Sequence, residues 1–315
     1  MRNAGSIVFV IVVGVLLALA GETVWRDTTS RDESENDSFP KFGFIDKSGA
    51  FVIEPEFDLA YDFSEGFAPV SENGYFGFLD KNGDFLVRGA YEDAASFSEG
   101  LAQIQLNNQI GYIDTSGKLI IPPSFYPAGA FNEGLAPAAQ DGKYGFINTE
   151  GDFVIPRKFD HATPFSEGLA GVVIDGQAGY IGKTGEVLIP LAYDSSAPFQ
   201  DGRAAVRVGG EWFHIDKLGN RIDEPRGGQA TQRLSDGLRP VREDRKWGFA
   251  DADGTTIIPA RYDAVHPFQE GLAAVKRNRR YGYIDKAGTE VIPVQFLRAY
   301  SFREGLARVR LVPED

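Results

Sequence analysis

Glycine recurs in three separate phases of one period, and that period governs the chain from residue 41 onward. One series opens a Gly-Phe-Ile-Asp-like segment at Gly43, Gly77, Gly111, Gly145, Gly179, Gly248 and Gly282, with Phe213 in the sixth slot. A second runs Gly66, Gly100, Gly134, Gly168, Gly202, Gly237, Gly271 and Gly305, and a third Gly49, Gly83, Gly117, Gly151, Gly185, Gly219, Gly254 and Gly288. Every step is 34 residues except one of 35, which falls in the sixth unit in all three series. Three series in agreement define eight tandem units, the mark of a repeat architecture. A unit of ~34 residues cannot enclose a core alone, so neighbours must cover one another.

Within a unit, a strand such as Phe42-Gly43-Phe44-Ile45-Asp46 runs into Asp-Lys-Ser-Gly. The closing glycine suits a hairpin turn that needs a positive φ, and the opening Asp can accept from turn amides. A short apolar strand follows, Phe51-Val52-Ile53, expected to stop at Pro55, as others should at Pro122, Pro156, Pro190, Pro259 and Pro293. An irregular stretch with an aromatic–acid pair (Phe57-Asp58, Phe159-Asp160, Tyr193-Asp194, Tyr262-Asp263) then leads to a strand such as Phe67-Ala68-Pro69-Val70. No sustained 3.6-residue period appears, so helical repeats are disfavoured. Phe44 and Ile45 point to opposite faces of one strand, so both faces must be covered. Phe63, Phe97, Phe131, Phe165, Phe199, Phe268 and Phe302 form a further aromatic series, with Leu234 in the sixth unit. Each such ring, once buried, contributes roughly 1.5–3 kcal/mol.

The expected fold is all-β: eight tandem three-stranded units in a closed or nearly closed propeller-like toroid, with an open curved β-solenoid as the alternative. The repeats begin on the second strand of a unit and end on the first, at Leu306 to Arg310, so the two ends could pair and complete one sheet. The first and last units also look ordinary, whereas open arrays need polar caps.

Lys246-Trp247-Gly248-Phe249, Asp253-Gly254, Ile257-Ile258-Pro259, Arg261-Tyr262-Asp263 and Phe268-Gln269-Glu270-Gly271-Leu272-Ala273 together resemble the bacterial WG-repeat family. The resemblance covers Phe42 to about Arg310. The eponymous Trp stands at Trp247, and at Trp212 before a non-glycine; Phe42, Phe76, Tyr144 and Tyr281 replace it elsewhere, and Ile110 and Ala178 are not aromatic. Most members of that family lack an assigned activity. The resemblance therefore implies an interaction or surface module and carries over no catalytic residue.

The first 20 residues are of another kind. Arg2, an apolar run from Ile7 to Leu17 and Ala18-Leu19-Ala20 read as a secretory signal peptide. An uncleaved anchor over residues 4–21 is the rival, at the lower limit for spanning a bilayer. Either places the remainder outside the cytoplasm, periplasmic or secreted. Residues 21–38, with Asp27, Asp32, Glu33, Glu35 and Asp37, read as an acidic disordered linker, and 39–315 as the repeat domain. The chain has no Cys, which excludes disulfides, thiolate metal sites and a cysteine nucleophile.

Candidates for chemistry mostly dissolve into repeat structure. The Asp46, Asp80, Asp114, Asp216, Asp251 and Asp285 series reads as hairpin-turn residues. Asp251-Ala252-Asp253-Gly254 only faintly echoes a calcium loop and lacks its other oxygens and distal Glu. The acids Glu65, Glu99, Glu133, Glu167, Asp201, Asp236, Glu270 and Glu304 precede glycine in a tight turn and are expected to satisfy local backbone donors. Eight equivalent copies do not make the asymmetric carboxylate pair that acid–base catalysis needs. His161, His214 and His266 occupy different repeat phases, so no three-His metal site is expected, and no cofactor or catalytic residue.

Charge supplies the functional lead. The chain carries a net −13, yet residues 201–310 hold 20 Lys and Arg against 15 Asp and Glu, while residues 21–200 hold 11 against 28. Arg242, Arg245 and Lys246, then Lys276, Arg277, Arg279 and Arg280, fall in equivalent turns of neighbouring units. The sixth unit breaks the pattern, with Phe213 for Gly, Gly227-Gly228 for the aromatic–acid pair and Arg239 for Ala. Local rules often break at functional sites. The candidate binding residues are Trp212, His214, Arg226, Arg233, Arg242, Arg245, Trp247, Arg277, Arg279 and Arg280. The expected function is an exported, non-enzymatic interaction or scaffold module that binds a protein or an acidic envelope or glycan partner through repeat-edge loops. A carbohydrate- or cell-wall-binding or hydrolysing protein and a structural envelope component are the alternatives. Nucleic acid is not an expected partner, given the net negative charge. Membrane contact is expected only through residues 4–21, if they are retained.

Overall fold

The computed structural model describes residues 40–222 and 234–311. The signal or anchor segment and the acidic linker lie outside the described residues, as do Arg226, Arg233 and the Gly227-Gly228 pair.

The described residues form eight small antiparallel sheets, seven of which hold their strands in chain order. One sheet runs Leu59–Ala60, Phe67–Glu72, Tyr75–Asp80, Phe85–Tyr91. Six sheets have four strands, against the three expected. The extra strand is two residues long and lies in the stretch read as irregular. The Asp58 amide donates to the Ser71 carbonyl and the Tyr61 amide to that of Pro69, so this backbone satisfies itself against the next strand. A second expectation also fails. Pro55 does not stop its strand, which runs Phe51–Phe57 and pairs through register shifts with Phe42 and Phe44. Proline is tolerated here because this is an edge strand.

The first glycine series marks those register shifts. A Cβ on Gly43 would lie 2.7 Å from the Ile53 carbonyl oxygen, and on Gly77 or Gly248 2.3 Å from those of Val87 and Ile258. The edge strand comes so close that only glycine fits. Phe213 fills this slot in the strand Glu211–Asp216, and there the edge strand is described only as Arg221–Ile222.

Both faces of most central strands are buried, as the alternation requires; Glu211–Asp216, where only Ile215 is buried, is the exception. Phe44 and Ile45 are fully inaccessible yet belong to different clusters: Phe44 packs with Phe63, Val70 and Leu79, Ile45 with Tyr283, Ile292 and Phe302. Seven such clusters each join two neighbouring sheets; among the described residues none joins the sheet of Glu211–Asp216 to that of Lys246–Ala250. The same ring pair recurs between successive sheets: Phe44–Phe63, Tyr112–Phe131, Tyr180–Phe199, Phe249–Phe268 and Tyr283–Phe302, with centroids 4.7–5.0 Å apart. Such a pair contributes about 0.5–1.5 kcal/mol beyond the area it buries. Leu234 breaks the series and is exposed.

Polar links repeat with the same period. The Glu series does not act locally, as expected, but reaches the next unit. Glu65 accepts from the Gly100 amide, Glu99 from Gly134, Glu133 from Gly168, Glu167 from Gly202, Asp236 from Gly271 and Glu270 from Gly305. The acid and glycine both take left-handed φ, 53° at Glu65 and 88° at Gly66, and that turn aims the amide at the preceding unit. Lys47, Lys183 and Lys217 add a cation to Glu270, Glu133 and Glu167. The Asp46 series behaves as read, with Asp46 accepting from the Ser48 and Ala50 amides.

The two ends of the repeat region meet. Phe42–Ile45 pairs with Ala307–Arg310 over four residues, giving a sheet ordered Phe51–Phe57, Phe42–Ile45, Ala307–Arg310, Arg298–Ala299. Glu304 accepts from the Gly66 amide and pairs with Lys81, repeating the interunit link from last unit to first.

Candidate functional site

In seven of the eight sheets a tight turn lies at the end opposite the Asp-Lys-Ser-Gly hairpins; in the eighth the strands it would join are Phe42–Ile45 and Ala307–Arg310, from the two ends of the repeat region. All seven are two-residue turns with both residues in left-handed φ, the hairpin geometry that favours Asn and Gly. Five obey that chemistry at the second position: Gly74, Asn108, Gly142, Gly176 and Gly210. Two do not. Arg245 sits at φ 68° after Asp244, and Arg279 at φ 67° after Asn278. A long side chain in this region costs on the order of 1 kcal/mol.

These two turns belong to consecutive sheets and share one carboxylate. Asp263 accepts from Lys246 Nζ of the first turn at 2.5 Å and from the Asn278 amide of the second at 3.1 Å. The Lys246 ammonium, against a smaller opposing effect of burial, holds the Asp263 carboxyl below its usual range. Asp263 stays ionised and fixes one turn against the other. Arg277 pairs with Glu290 at 2.9 Å, and across the hairpin it faces Arg280. Arg242, Arg245, Arg279 and Arg280 make no salt bridge with a carboxylate among the described residues.

Cations also sit on the aromatic slot of four consecutive sheets. Arg207 lies 5.8 Å from the Trp212 ring, Arg242 5.6 Å from Trp247, Lys276 5.2 Å from Tyr281 and Arg310 4.9 Å from Phe42. Each cation is the direct cross-strand neighbour of its ring. In the other four sheets the same cross-strand position holds Ser71, Gln105, Ala139 and Val173. Burial, reinforced by Arg298, lowers the basicity of Arg310 without neutralising it.

The structure therefore gathers Arg242, Arg245, Trp247, Arg277, Arg279 and Arg280 on one rim. Trp212, 54% exposed, lies on the sheet before it. His214 does not join them. It stands in the slot filled by Phe44, Tyr112 and Tyr180 elsewhere and is half-buried. Sequence reasoning missed the pairing of Arg207, Lys276 and Arg310 with the aromatic slot. The signal was present as a cation five residues before the ring, at 207/212, 242/247 and 276/281. Among the described residues no group of three or more His, Asp or Glu side chains is placed to hold a metal ion. An open depression of about 590 Å³ lies at the hairpin side instead, lined by Glu99, Asp114, Lys118 and Glu150.

A family model described as WG containing repeat matches residues 42–76, 76–109, 110–144, 144–177, 179–212, 247–280 and 281–311. The chain belongs to the WG-repeat family. The segment this WG-repeat model passes over, 213–246, contains the irregular sixth unit with Phe213. No curated protein matches the sequence. Among solved structures, a eukaryotic initiation factor is similar at 11% identity and TM-score 0.45, over 83% of this chain and 86% of that one. The extracellular domain of a putative one-component system from B. thetaiotaomicron is similar at 12% identity and TM-score 0.37, over 82% of this chain and 44% of that one.

Proposed function

We propose that this WG-repeat chain is an exported, non-enzymatic binding module: eight units closed into a ring that captures an acidic partner on its arginine-bearing turns. The observation that carries this reading is the pair Arg245 and Arg279. Both occupy left-handed turn positions that five sister turns give to Gly or Asn, so each guanidinium is kept at a cost to folding. A cost retained at two adjacent equivalent positions is a mark of use rather than of drift. Ring closure is supported by the pairing of Phe42–Ile45 with Ala307–Arg310 and by the link from Glu304 to Gly66. Export is supported by Arg2, the apolar run Ile7 to Leu17 and Ala18-Leu19-Ala20. The near-equivalence of the units supports binding over catalysis.

A protein of net charge −13 should pass a carboxylated cation-exchange matrix unretained at pH 7 unless its cations are concentrated. The full chain is expected to be retained at low salt and released as salt rises, and Arg245→Glu with Arg279→Glu to flow through. Passage of the native chain, or equal retention of the variant, would overturn the reading.

A further inference from the structure

We propose that the four cation–aromatic pairs form one extended subsite for a linear acidic polysaccharide that carries a carboxylate on successive sugars. This rests on the reading above and names the chemical class of the partner. The pairs Arg207/Trp212, Arg242/Trp247, Lys276/Tyr281 and Arg310/Phe42 occupy the same register position in four consecutive sheets. The first three rings stand 35 and 34 residues apart, and the fourth joins through the sheet that both ends of the repeat region share. A polymer that presents the same anion at regular intervals fits such an array, and each engaged step raises the effective concentration of the next.

Two further observations favour a sugar chain. Each ring sits under its cation and restricts where that cation can go, which prepays part of the ordering cost of an ion pair. Trp212 is also 54% exposed, leaving an apolar face beside Arg207 for the C–H face of a pyranose while its carboxylate meets the guanidinium. Carboxylates are interleaved with the cations: Glu243, Asp244, Asp263 and Glu290 lie on the same turns and edge strands. A continuous anionic plane such as a lipid surface would meet these acids as well as the bases. A thin chain can follow the cations and avoid them.

The test uses the full chain and oligogalacturonates of defined length, with poly-glutamate and anionic phosphatidylglycerol vesicles as comparison arms. Affinity is expected to rise by on the order of tenfold or more from dimer to the length that spans the four pairs, then level off. Arg242→Gln with Lys276→Gln, both outward-facing changes, should remove most of that length dependence with the melting temperature unchanged. Trp212→Ala should weaken oligogalacturonate several-fold and leave poly-glutamate binding as it was. Length-independent binding of oligogalacturonate, or tighter binding of poly-glutamate or vesicles, would overturn the polysaccharide assignment and leave the acidic-partner reading standing. Binding to none of the three, together with passage through the cation-exchange matrix, would overturn both.

Discussion

Arg308 and Asp62 form a largely buried ion pair at 2.6 Å between the last strand of the chain and the first complete sheet, with side chains 12% and 16% exposed. The Arg308 guanidinium also donates to the Ala60 carbonyl and lies 3.7 Å from the Tyr300 ring centroid. At the equivalent strand position other units carry Pro69, Pro137, Gly171, Ala205 and Ala274. Charge appears where the two ends of the repeat region meet, and it ties them across that junction.

Removing one partner strands the other charge in a dry site. Arg308→Ala or Asp62→Ala is expected to cost about 3–5 kcal/mol in urea unfolding, whereas Arg308→Met with Asp62→Leu should recover most of that loss. A double substitution as damaging as the sum of the singles would show that the residues act apart.

The arginine turns make the opposite prediction. Arg245→Gly and Arg279→Gly should each raise stability by about 0.5–1 kcal/mol, because glycine takes the left-handed φ without strain, less its larger unfolded-state entropy. The same variants should lose retention on a carboxylated matrix. A stability gain without that loss would mean the arginines serve no partner.

Acid should loosen the joints between units. Lys217, against some burial and with help from the Gly202 amide, holds the Glu167 carboxyl below its ordinary range. Burial opposes ionisation of Glu304, but Lys81 and the Gly66 amide outweigh it and hold that carboxyl low as well. A carboxylate depressed on folding gives its full stabilisation above the unfolded value, near 4.3, and loses it as pH falls through the folded value. The urea midpoint should therefore fall as pH drops from about 5 toward 3, and Glu167→Gln with Glu304→Gln should flatten that fall.

Gly248→Ala places a methyl 2.3 Å from the Ile258 carbonyl oxygen and 2.7 Å from the Ala260 nitrogen. Both are backbone atoms that cannot swing aside, so a loss of about 2–3 kcal/mol is expected in chemical denaturation. Gly66→Ala meets nothing within 4 Å and is strained only by its φ of 88°, so it should cost less.

Much of this was legible in the residues because the repeat states each rule several times over. The Asp46 turns, the two-faced Phe44–Ile45 strand and the meeting of the two ends of the repeat region all follow from phase and alternation. What escaped was what passes between units. Glu65 and Gly66 read as a local turn because they are neighbours in sequence. The carboxylate in fact takes the Gly100 amide, 35 residues on. Nor does Pro55 reveal that its strand is an edge, where a missing N–H is harmless. Arg308 and Asp62 are 246 positions apart and have no counterparts in the other units to flag them. Of the proposed site, the arginines were visible as charge, but their left-handed φ and the shared Asp263 were not.

Completion of one sheet by both ends of the repeat region underlies the proposed ring and, through Arg310 and Phe42, the fourth step of the proposed binding arc. Hydrogen–deuterium exchange on the full chain reads it directly. The amides of 42–45 and 307–310 should be protected to the same degree as interior strands such as Tyr144–Ile147, and Arg308→Ala should deprotect both ends together. Rapid exchange of either end in the native chain, at the rate of a frayed terminus, would contradict the account.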